Sequence, residues 1–438
     1  MPLRPLQRWI DPHEIEASTP DDRDRVADLL RLTAIGFVVL GHWLVTAVLY
    51  RNDDPVVGQA LQWVPQAHLL TWIFQVMPLF FFVGGHLNAT SWRRAEERGR
   101  SWPRWFRRRA RRLLTPMLPV FVVAVGITVG GARLGIDDQL VTRATEGVLL
   151  PLWFLVVYIL VIAIVPVTLW LHDRYGLWVP ALAVVATGVV DALIRAGTPV
   201  VGFASYLLLW GGIHQLGYFW NHARMPDPGR CVLIALGATM AVATLIIRFD
   251  YPLSMVAVFG AERHNTDPPS LALWLYAIAQ LTLVVAVRRP LQRLLARPRV
   301  WAPVVVCASA VLTIFLWHMT AMVAVGLAVH PTGVWPRFER IDAGWWAMRP
   351  VWLLACALVL GILVAVFRRL EDQAEPVPRD GSLRTLVGLG AFAFGLARIM
   401  IEGLDDPTSA TGLRLVPLVS LLVGMGLLGA LWPRGSPR

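Results

Sequence analysis

The chain has 438 residues, of which 56% are hydrophobic and 16% charged, and its formal net charge is +11. Soluble domains carry about a quarter charged residues, so the composition excludes a set of soluble domains and indicates a polytopic membrane protein. The mean hydropathy of +0.58 agrees with this. All 40 basic residues are arginine, and most of them lie in short loops between apolar runs. We therefore expect a lipid bilayer, and no nucleic acid, as the partner of the basic charge.

Cysteine spacing and the N-terminal residues lead to two negative expectations. Cys231, Cys307 and Cys356 lie far apart in apolar segments, without the spacing of metal ligands. We expect them to be small buried hydrophobic residues, and we expect no metal site. Residues 1–25 are polar and lack the short apolar core of a cleavable signal peptide.

Twelve apolar segments approach the length of about 20 residues that a membrane-spanning helix requires. They lie near residues 28–49, 68–90, 113–131, 148–171, 178–195, 200–220, 231–248, 270–287, 300–329, 347–367, 384–401 and 412–432. The pattern predicts an all-α transmembrane helical bundle with about ten core spans and two further C-terminal spans. The segment 300–329 is too long for one upright span, so we expect it to tilt or to extend beyond the lipid.

The arginine distribution predicts the orientation, because cytoplasmic loops of membrane proteins carry the excess of positive charge. Residues 91–112 contain ten arginines and residues 288–299 contain five. With both loops inside, both termini are cytoplasmic. We therefore predict a cytoplasmic segment at 1–25, a membrane domain at 26–370, and a region at 371–438 with a cytoplasmic linker and two further spans. The expected location is the cell membrane.

The first span carries ionisable side chains on one face. Eleven steps of about 100° bring Arg31 and His42 to within about 20° of each other, about 16–17 Å apart along the helix axis. Asp28 falls within about 40° of the same line. Ionisable groups in hydrocarbon cost several kcal/mol unless they face protein or water, so the face is a candidate functional site.

Each of these residues allows two interpretations. A neutral imidazole at His42 can accept a proton from a reacting hydroxyl, or can accept a transferred group itself. It could equally be a structural histidine bonded to a neighbouring helix. Arg31 offers a cation to a phosphate or a developing oxyanion. It could also be an arginine that extends to the inner membrane edge and pairs with Asp28.

Five short stretches follow one another along the chain. They are Asp28-x-x-Arg31 with His42 beyond it, Met77-Pro-Leu-Phe-Phe-Phe-Val-Gly-Gly85, Arg108-Arg-Ala-Arg-Arg112-Leu-Leu-Thr-Pro116, Leu152-Trp153-Phe154-Leu155 and Phe315-Leu-Trp-His318-Met. In this order they resemble the membrane-bound acyltransferase-3 family over roughly residues 23–370. Two positions depart from the family pattern, because Gly84 stands where serine is usual and His86 where an aromatic residue is common.

The resemblance implies an integral-membrane O-acyltransferase. Such an enzyme moves an acyl group, most simply acetyl, from cytoplasmic acyl-CoA to a hydroxyl of an extracytoplasmic glycan, glycolipid or related acceptor. His42 would act as a base or as an acyl relay, with Arg31 as a second catalytic residue. Asp28 would orient Arg31, and His318 would complete a polar cavity with His42. Trp153 would support the site, or would serve as an interfacial anchor.

The resemblance also implies that acyl-CoA binds at the arginine cluster Arg108, Arg109, Arg111 and Arg112. Guanidinium groups near a helix start suit the 3′-phosphate and diphosphate of coenzyme A. The Arg-x-x-Arg register is ambiguous within the cluster. The same cluster also fits plain membrane topology with anionic lipid contact.

Two alternatives to an active acyltransferase remain open from the sequence. Many spans with internal histidine, aspartate and arginine also suit a transporter or a lipid-linked sugar flippase. The departures at Gly84 and His86 also fit a catalytically inactive family member. If the chain is an enzyme, the outer loops 249–269 and 330–346 are the candidates for acceptor recognition, through Arg263, His264, Trp335, Trp345 and Trp346.

Overall fold

The computed structural model describes residues 11–221, 226–370, 381–406, 408–409 and 411–431. It is 76% helical, which confirms the predicted all-α membrane fold. Within these residues, nine helical segments are long and apolar enough to cross a membrane, and a bent pair, Leu271–Ala286 with Arg288–Leu295, would make ten. The orientation of the termini stays a prediction. Part of the predicted cytoplasmic N-terminal segment and linker lies outside the described residues.

The elements follow each other in this order. The α-helices are α1 (Pro12–Ser18), α2 (Arg25–Val45), α3 (Ala60–Trp63), α4 (Thr71–Phe74), α5 (Met77–Glu97), α6 (Trp102–Leu114), α7 (Leu118–Arg133), α8 (Asp138–Leu149), α9 (Leu152–Ala163), α10 (Val165–Tyr175), α11 (Trp178–Arg195), α12 (Phe203–Tyr206), α13 (Gly212–Leu216), α14 (Pro228–Phe249), α15 (Leu271–Ala286), α16 (Arg288–Leu295), α17 (Pro298–Ala308), α18 (Val311–Val329), α19 (Ala343–Ala347), α20 (Arg349–Phe367), α21 (Ser382–Glu402) and α22 (Leu415–Leu428). Two strands, β1 (Thr46–Arg51) and β2 (Asp54–Gln59), form one antiparallel hairpin.

The chain divides into two compact units. The first unit comprises Met1–Val38, Val64–Ala89 and Val167–Val311, and therefore holds α11 to α17. The second comprises Val39–Trp63, Thr90–Pro166 and Leu312–Arg438. It holds the β-hairpin, α6 to α9 and α19 to α22. Helix α2 is continuous, and the boundary between the units falls within it.

The first predicted span, 28–49, extends too far. Helix α2 ends at Val45, and the chain continues directly into β1. Asn52 and Asp53 have φ values of 51° and 67° and form the two-residue turn of the hairpin. Asparagine and aspartate tolerate this left-handed conformation, and the flanking valine-rich runs favour strands, so the sequence did contain the hairpin signal.

Three other predicted spans and the expected burial of one cysteine differ from the structure. The span 300–329 is not one tilted helix, because α17 and α18 are separate and break at Ser309–Ala310. The span 148–171 breaks between α9 and α10, next to Pro166. The last predicted span contains only the 14 residues of α22. Cys307, expected to be buried, is exposed.

Residues 200–220 form no continuous span. They divide into short α-, 3₁₀- and π-helical pieces, with the π-helix at Leu207–Gly211. Glycines in this region pack against the backbone of α5 within the first unit. A Cβ added at Gly217 would overlap the carbonyl oxygen of Phe82, and one added at Gly85 would overlap that of His214. This close approach of two backbones explains why glycine is required at both positions.

Helices α21 and α22 pack closely as an antiparallel pair in the second unit. A Cβ added at Gly395 would overlap the backbone of Leu421 and Pro417, and one added at Gly424 would overlap that of Phe392. Small residues allow such close packing of membrane helices, where van der Waals contact is the main attraction.

Replacing Gly395 by alanine should loosen this helix pair. The added methyl group forces the two backbones apart, so we expect a loss of about 1–3 kcal/mol of stability. The matched control is Gly390→Ala on the same helix, where an added Cβ has nothing within 4 Å. Thermal unfolding in detergent measures both. A midpoint for Gly395→Ala equal to that of Gly390→Ala would contradict the packing argument.

The hairpin packs against the 330–347 segment in the second unit. The Tyr50 backbone N–H donates to the Phe338 carbonyl at 2.8 Å, and the Tyr50 hydroxyl lies 3.1 Å from Nδ1 of His330. Burial, and then the positive charge of Arg349, lower the pKa of His330 from 6.5 to about 4. The folded protein therefore binds a proton at His330 more weakly than the unfolded chain does.

This difference predicts a pH dependence of stability. The stabilising contribution of neutral His330 is complete above pH 6.5 and is lost as the pH falls towards 4, because the unfolded chain takes up the proton first. The unfolding midpoint of the unmodified protein should fall across this window, and that of His330→Asn should fall less. His13→Asn, at an exposed histidine, is the control. Identical pH profiles for the protein and His330→Asn would refute the prediction.

Candidate active site

His42 and His318 lie side by side in the second unit. His42 is in the last turn of α2, and His318 lies in the middle of α18. Their ring centroids are 5.4 Å apart and the ring planes are tilted by 37°. His318 is completely buried, whereas His42 is half-buried.

The hydrogen bonding of His318 defines its tautomer. Its Nδ1 lies 2.6 Å from the carbonyl oxygen of Phe315. A carbonyl oxygen can only accept, so Nδ1 carries the proton. In the neutral ring, Nε2 is then a lone-pair acceptor, and within the described residues this atom is buried with no hydrogen-bond partner. His318 therefore has one ring nitrogen whose lone pair is unused within the described residues.

Two side-chain hydrogen bonds hold the histidine-bearing turn. The indole Nε1 of Trp43 donates to the backbone carbonyl of His318 at 3.0 Å. The Thr46 hydroxyl donates to the carbonyl of His42 at 2.9 Å. The first bond links α2 to α18 next to the two rings, and the second fixes the end of α2.

Aromatic contacts extend from His318 to the start of α9. Phe315 lies with its ring centroid 5.9 Å from His318 and makes an edge contact with Phe154 at 5.3 Å. Trp153, the neighbour of Phe154, is half-buried. The motif around Trp153 therefore supports the histidine pair through Phe154.

Asp28 and Arg31 pair with each other near the start of α2, in the first unit. Nη1 of Arg31 lies 3.8 Å from Oδ1 of Asp28, and Nε of Arg23 lies 2.7 Å from Oδ2. The Arg31 side chain is 32% exposed. The predicted pair of Arg31 with Asp28 is therefore present. The Arg31 guanidinium also keeps some exposed surface.

The arginine cluster lies on α6, which carries six arginines and presents them on different faces. Arg107 and Arg111, one turn apart, are buried, and Arg109 lies over the ring of Trp105 at 5.4 Å. Arg108 and Arg112, also one turn apart, are exposed. The i, i+4 spacing separates a packed arginine face from an accessible one.

His86 belongs to a polar cluster in the first unit. Its Nε2 lies 3.5 Å from Oδ2 of Asp24, which also accepts the indole N–H of Trp220. The guanidinium of Arg288 lies over the Trp220 ring at 4.1 Å. The departure from the family pattern at His86 is therefore explained by local packing and hydrogen bonding.

The outer-loop residues proposed for acceptor binding are mostly engaged in the structure. Trp335 and Trp345 are buried, whereas Trp346 is 40% exposed. Arg263 pairs with Asp250 at 3.1 Å. Nδ1 of His264 lies 3.4 Å from the Val258 amide. Of the three tryptophans, Trp346 alone has substantial exposed surface for a sugar ring.

Sequence reasoning missed two buried arginines of the second unit, Arg107 and Arg349. Both are at most 5% exposed. Arg349 begins an otherwise apolar helix. An ionisable residue at such a position is unusual, so it could have been recognised from the sequence as a candidate functional residue. Within the described residues, no group of three or more histidine, cysteine, aspartate or glutamate side chains could hold a metal ion.

Comparison with known proteins identifies the family. The model of the acyltransferase-3 family, described as an acyltransferase domain, matches residues 25–368, which is more than half of the chain. No curated protein and no solved structure matches the chain. The match covers the histidine pair and the arginine helix, and it confirms the predicted resemblance. The chain therefore belongs to the acyltransferase-3 family and is a membrane acyltransferase.

Proposed function

We propose that this acyltransferase uses acyl-CoA, most simply acetyl-CoA, from the cytoplasm. It transfers the acyl group to a hydroxyl of a glycan, glycolipid or related acceptor on the outer side of the cell membrane. The observation that supports this best is the contact between half-buried His42 and completely buried His318. Acyl transfer to a hydroxyl requires a group that removes the hydroxyl proton, and a neutral imidazole is suited to this task.

The proton-transfer step follows from this pair. The acceptor oxygen attacks the thioester carbonyl carbon while its proton moves to His42. The carbon–sulfur bond then breaks, and the departing thiolate takes the proton to give the free thiol. The unpaired Nε2 of His318 is a second potential proton acceptor beside His42. In the relay version of the mechanism, the imidazole nitrogen of His42 attacks the thioester first and releases coenzyme A, and the hydroxyl then attacks the acyl-imidazole.

The arginines supply the positive charge that the donor requires. Coenzyme A carries a 3′-phosphate and a diphosphate, and charge-assisted bonds from guanidinium groups bind such anions strongly. On α6, Arg108 and Arg112 are exposed and therefore available to bind the phosphates. Arg31, on the helix that also carries His42, is the candidate to bind a phosphate of the donor and to orient it.

The inside-to-outside direction rests on charge and on helix geometry. The ten arginines at 91–112 favour a cytoplasmic location for α6. Arg31 and His42 are then about 16–17 Å apart along α2, with His42 towards the outer surface. This span is comparable to an extended pantetheine arm, so one donor could bind at the inner surface and react near His42.

His42→Ala should abolish most acyl transfer. Loss of a general base typically costs about 10²–10⁴-fold in rate. The measurement is the transfer of radiolabelled acetyl from acetyl-CoA to a cell-envelope glycan and lipid extract by the protein in proteoliposomes. His13→Ala is the control, because His13 is an exposed histidine. Transfer at the normal rate by folded His42→Ala would overturn the proposed role.

The same preparation distinguishes a base from an acyl relay. Labelled acetyl-CoA is supplied without acceptor, and protein-bound label is measured after a quench at neutral pH. Label that depends on His42 indicates the relay, whereas no bound label together with normal turnover indicates the base.

Arg108→Gln combined with Arg112→Gln should weaken binding of coenzyme A. Two charge-assisted bonds at about 1.5–3 kcal/mol each predict a rise in Kd of at least about 100-fold. Calorimetric titration with coenzyme A and with dephospho-coenzyme A measures the effect. Arg293→Gln is the control, because Arg293 is an exposed arginine of the other arginine-rich loop. If the control and the double variant raised the Kd for coenzyme A equally, the arginine cluster would have no specific role in binding and would serve membrane topology alone.

A further inference from the structure

Arg349 occupies a costly position in the second unit. It is 5% exposed, and no carboxylate pairs with it among the residues that the structure describes. Its Nε is buried without a hydrogen-bond partner in the same set. A buried guanidinium without a carboxylate is expensive, and an apolar side chain of similar size would fill the space at lower cost. This desolvation cost indicates that the positive charge of Arg349 has a specific role in the protein.

Arg349 contacts the last turn of α2, which carries His42, and Thr46, the first residue of β1. Its Nη1 donates to the backbone carbonyls of Thr46 at 2.9 Å and of Trp43 at 3.4 Å. The last carbonyls of a helix lack partners within the helix, and they form the negative end of its dipole. A guanidinium at this place satisfies the hydrogen bonds and complements the dipole.

Two tryptophans hold the guanidinium in place. Its Cζ lies 3.5 Å from the ring centroid of Trp345 and 5.5 Å from that of Trp352. Trp345 is 1% exposed, so the guanidinium packs against buried aromatic rings and is shielded from solvent. Stacking of this kind suits the planar guanidinium and does not suit lysine equally.

We propose that Arg349 is a positioning residue of the acyltransferase. It fixes the C-terminal end of α2 through the carbonyls of Trp43 and Thr46 and thereby holds the His42 ring beside His318. Trp43 also donates to the backbone of His318, so the same turn is held from both sides. The inference rests on the proposed role of His42. Arg349 itself need not touch donor or acceptor.

The position of the histidine pair is sensitive to small movements. A displacement of about 1 Å at a reacting group can cost about 10²-fold in rate. Arg349→Met keeps an unbranched apolar stem and removes the guanidinium with its hydrogen bonds to the helix end. We expect kcat to fall by about 10²-fold, while the KM for acetyl-CoA and the Kd for coenzyme A stay within about twofold. Arg349→Lys, which keeps a charge and one donor, should restore part of kcat.

The decisive measurement is the double variant Arg349→Met with His42→Ala. If Arg349 acts through His42, the double variant is no slower than His42→Ala alone, because the positioned group is already missing. A further multiplicative loss in the double variant would show an independent effect and would overturn the inference. Arg337→Met is the control, since Arg337 also lies over an aromatic ring, that of Tyr50, and is exposed. Its kcat should be unchanged.

A folding defect is separated from a positioning defect by a second route to the same turn. Thr46→Val removes only the hydroxyl that donates to the His42 carbonyl, and it should lower kcat in the same direction by a smaller factor. Normal kcat in both Arg349→Lys and Thr46→Val would refute the inference even if Arg349→Met fails to fold. An active His42→Ala would instead refute the proposed function. Full activity of Arg349→Met beside inactive His42→Ala would refute only the role of Arg349.

Discussion

The absence of hydrogen-bonding solvent in hydrocarbon is the constraint on which this site depends. Every backbone group at membrane depth needs a partner within the protein. Helix α2 ends beside the histidine pair, so its last carbonyls require donors there. The Thr46 hydroxyl donates to the carbonyl of His42. The Arg349 guanidinium donates to the carbonyl of Trp43 and to that of Thr46, the residue directly after the helix. The same bonds that satisfy the backbone also hold the turn that carries the ring proposed to react, so in that proposal stability and placement of the ring have one cause.

The two ends of α2 differ in their electrostatics. Near its start, Arg23, Asp28 and Arg31 form a partly exposed charged group. Near its end, the rings of His42 and His318 lie in apolar and aromatic surroundings. A charged donor head suits the first environment, and proton transfer without competing water suits the second. In the proposed function, one helix would therefore provide anion attraction and proton acceptance at separate places, as a donor with one charged and one reactive end requires.

Much of the fold and part of the site were predictable from the sequence. Charges within apolar runs are conspicuous, so the first-span residues and the arginine cluster were identified from composition and spacing. His318 entered through the family motif. Trp43 and Arg349 were not identified from the sequence. Trp43 bonds to His318, which is 275 positions away, and Arg349 bonds to Trp43, which is 306 positions away. The periodicity of a sequence does not contain such long-range pairs. The overlong first span arose because β1 is as apolar as the helix before it.

The two helices after residue 368, where the family match ends, explain the division of α6 into two arginine faces. In the second unit, α21 and α22 both pack against α6, and α21 also packs against α9. The Thr115 hydroxyl, just after α6, donates to the Ala430 carbonyl at 3.2 Å, and a Cβ added at Gly429 would lie 3.7 Å from Nη2 of Arg107. Helix α6 also packs against α9, and the helix pair covers a further part of its surface. The helix pair buries one face and leaves Arg108 and Arg112 accessible, so the part of the chain outside the family match selects which arginines can meet an anion.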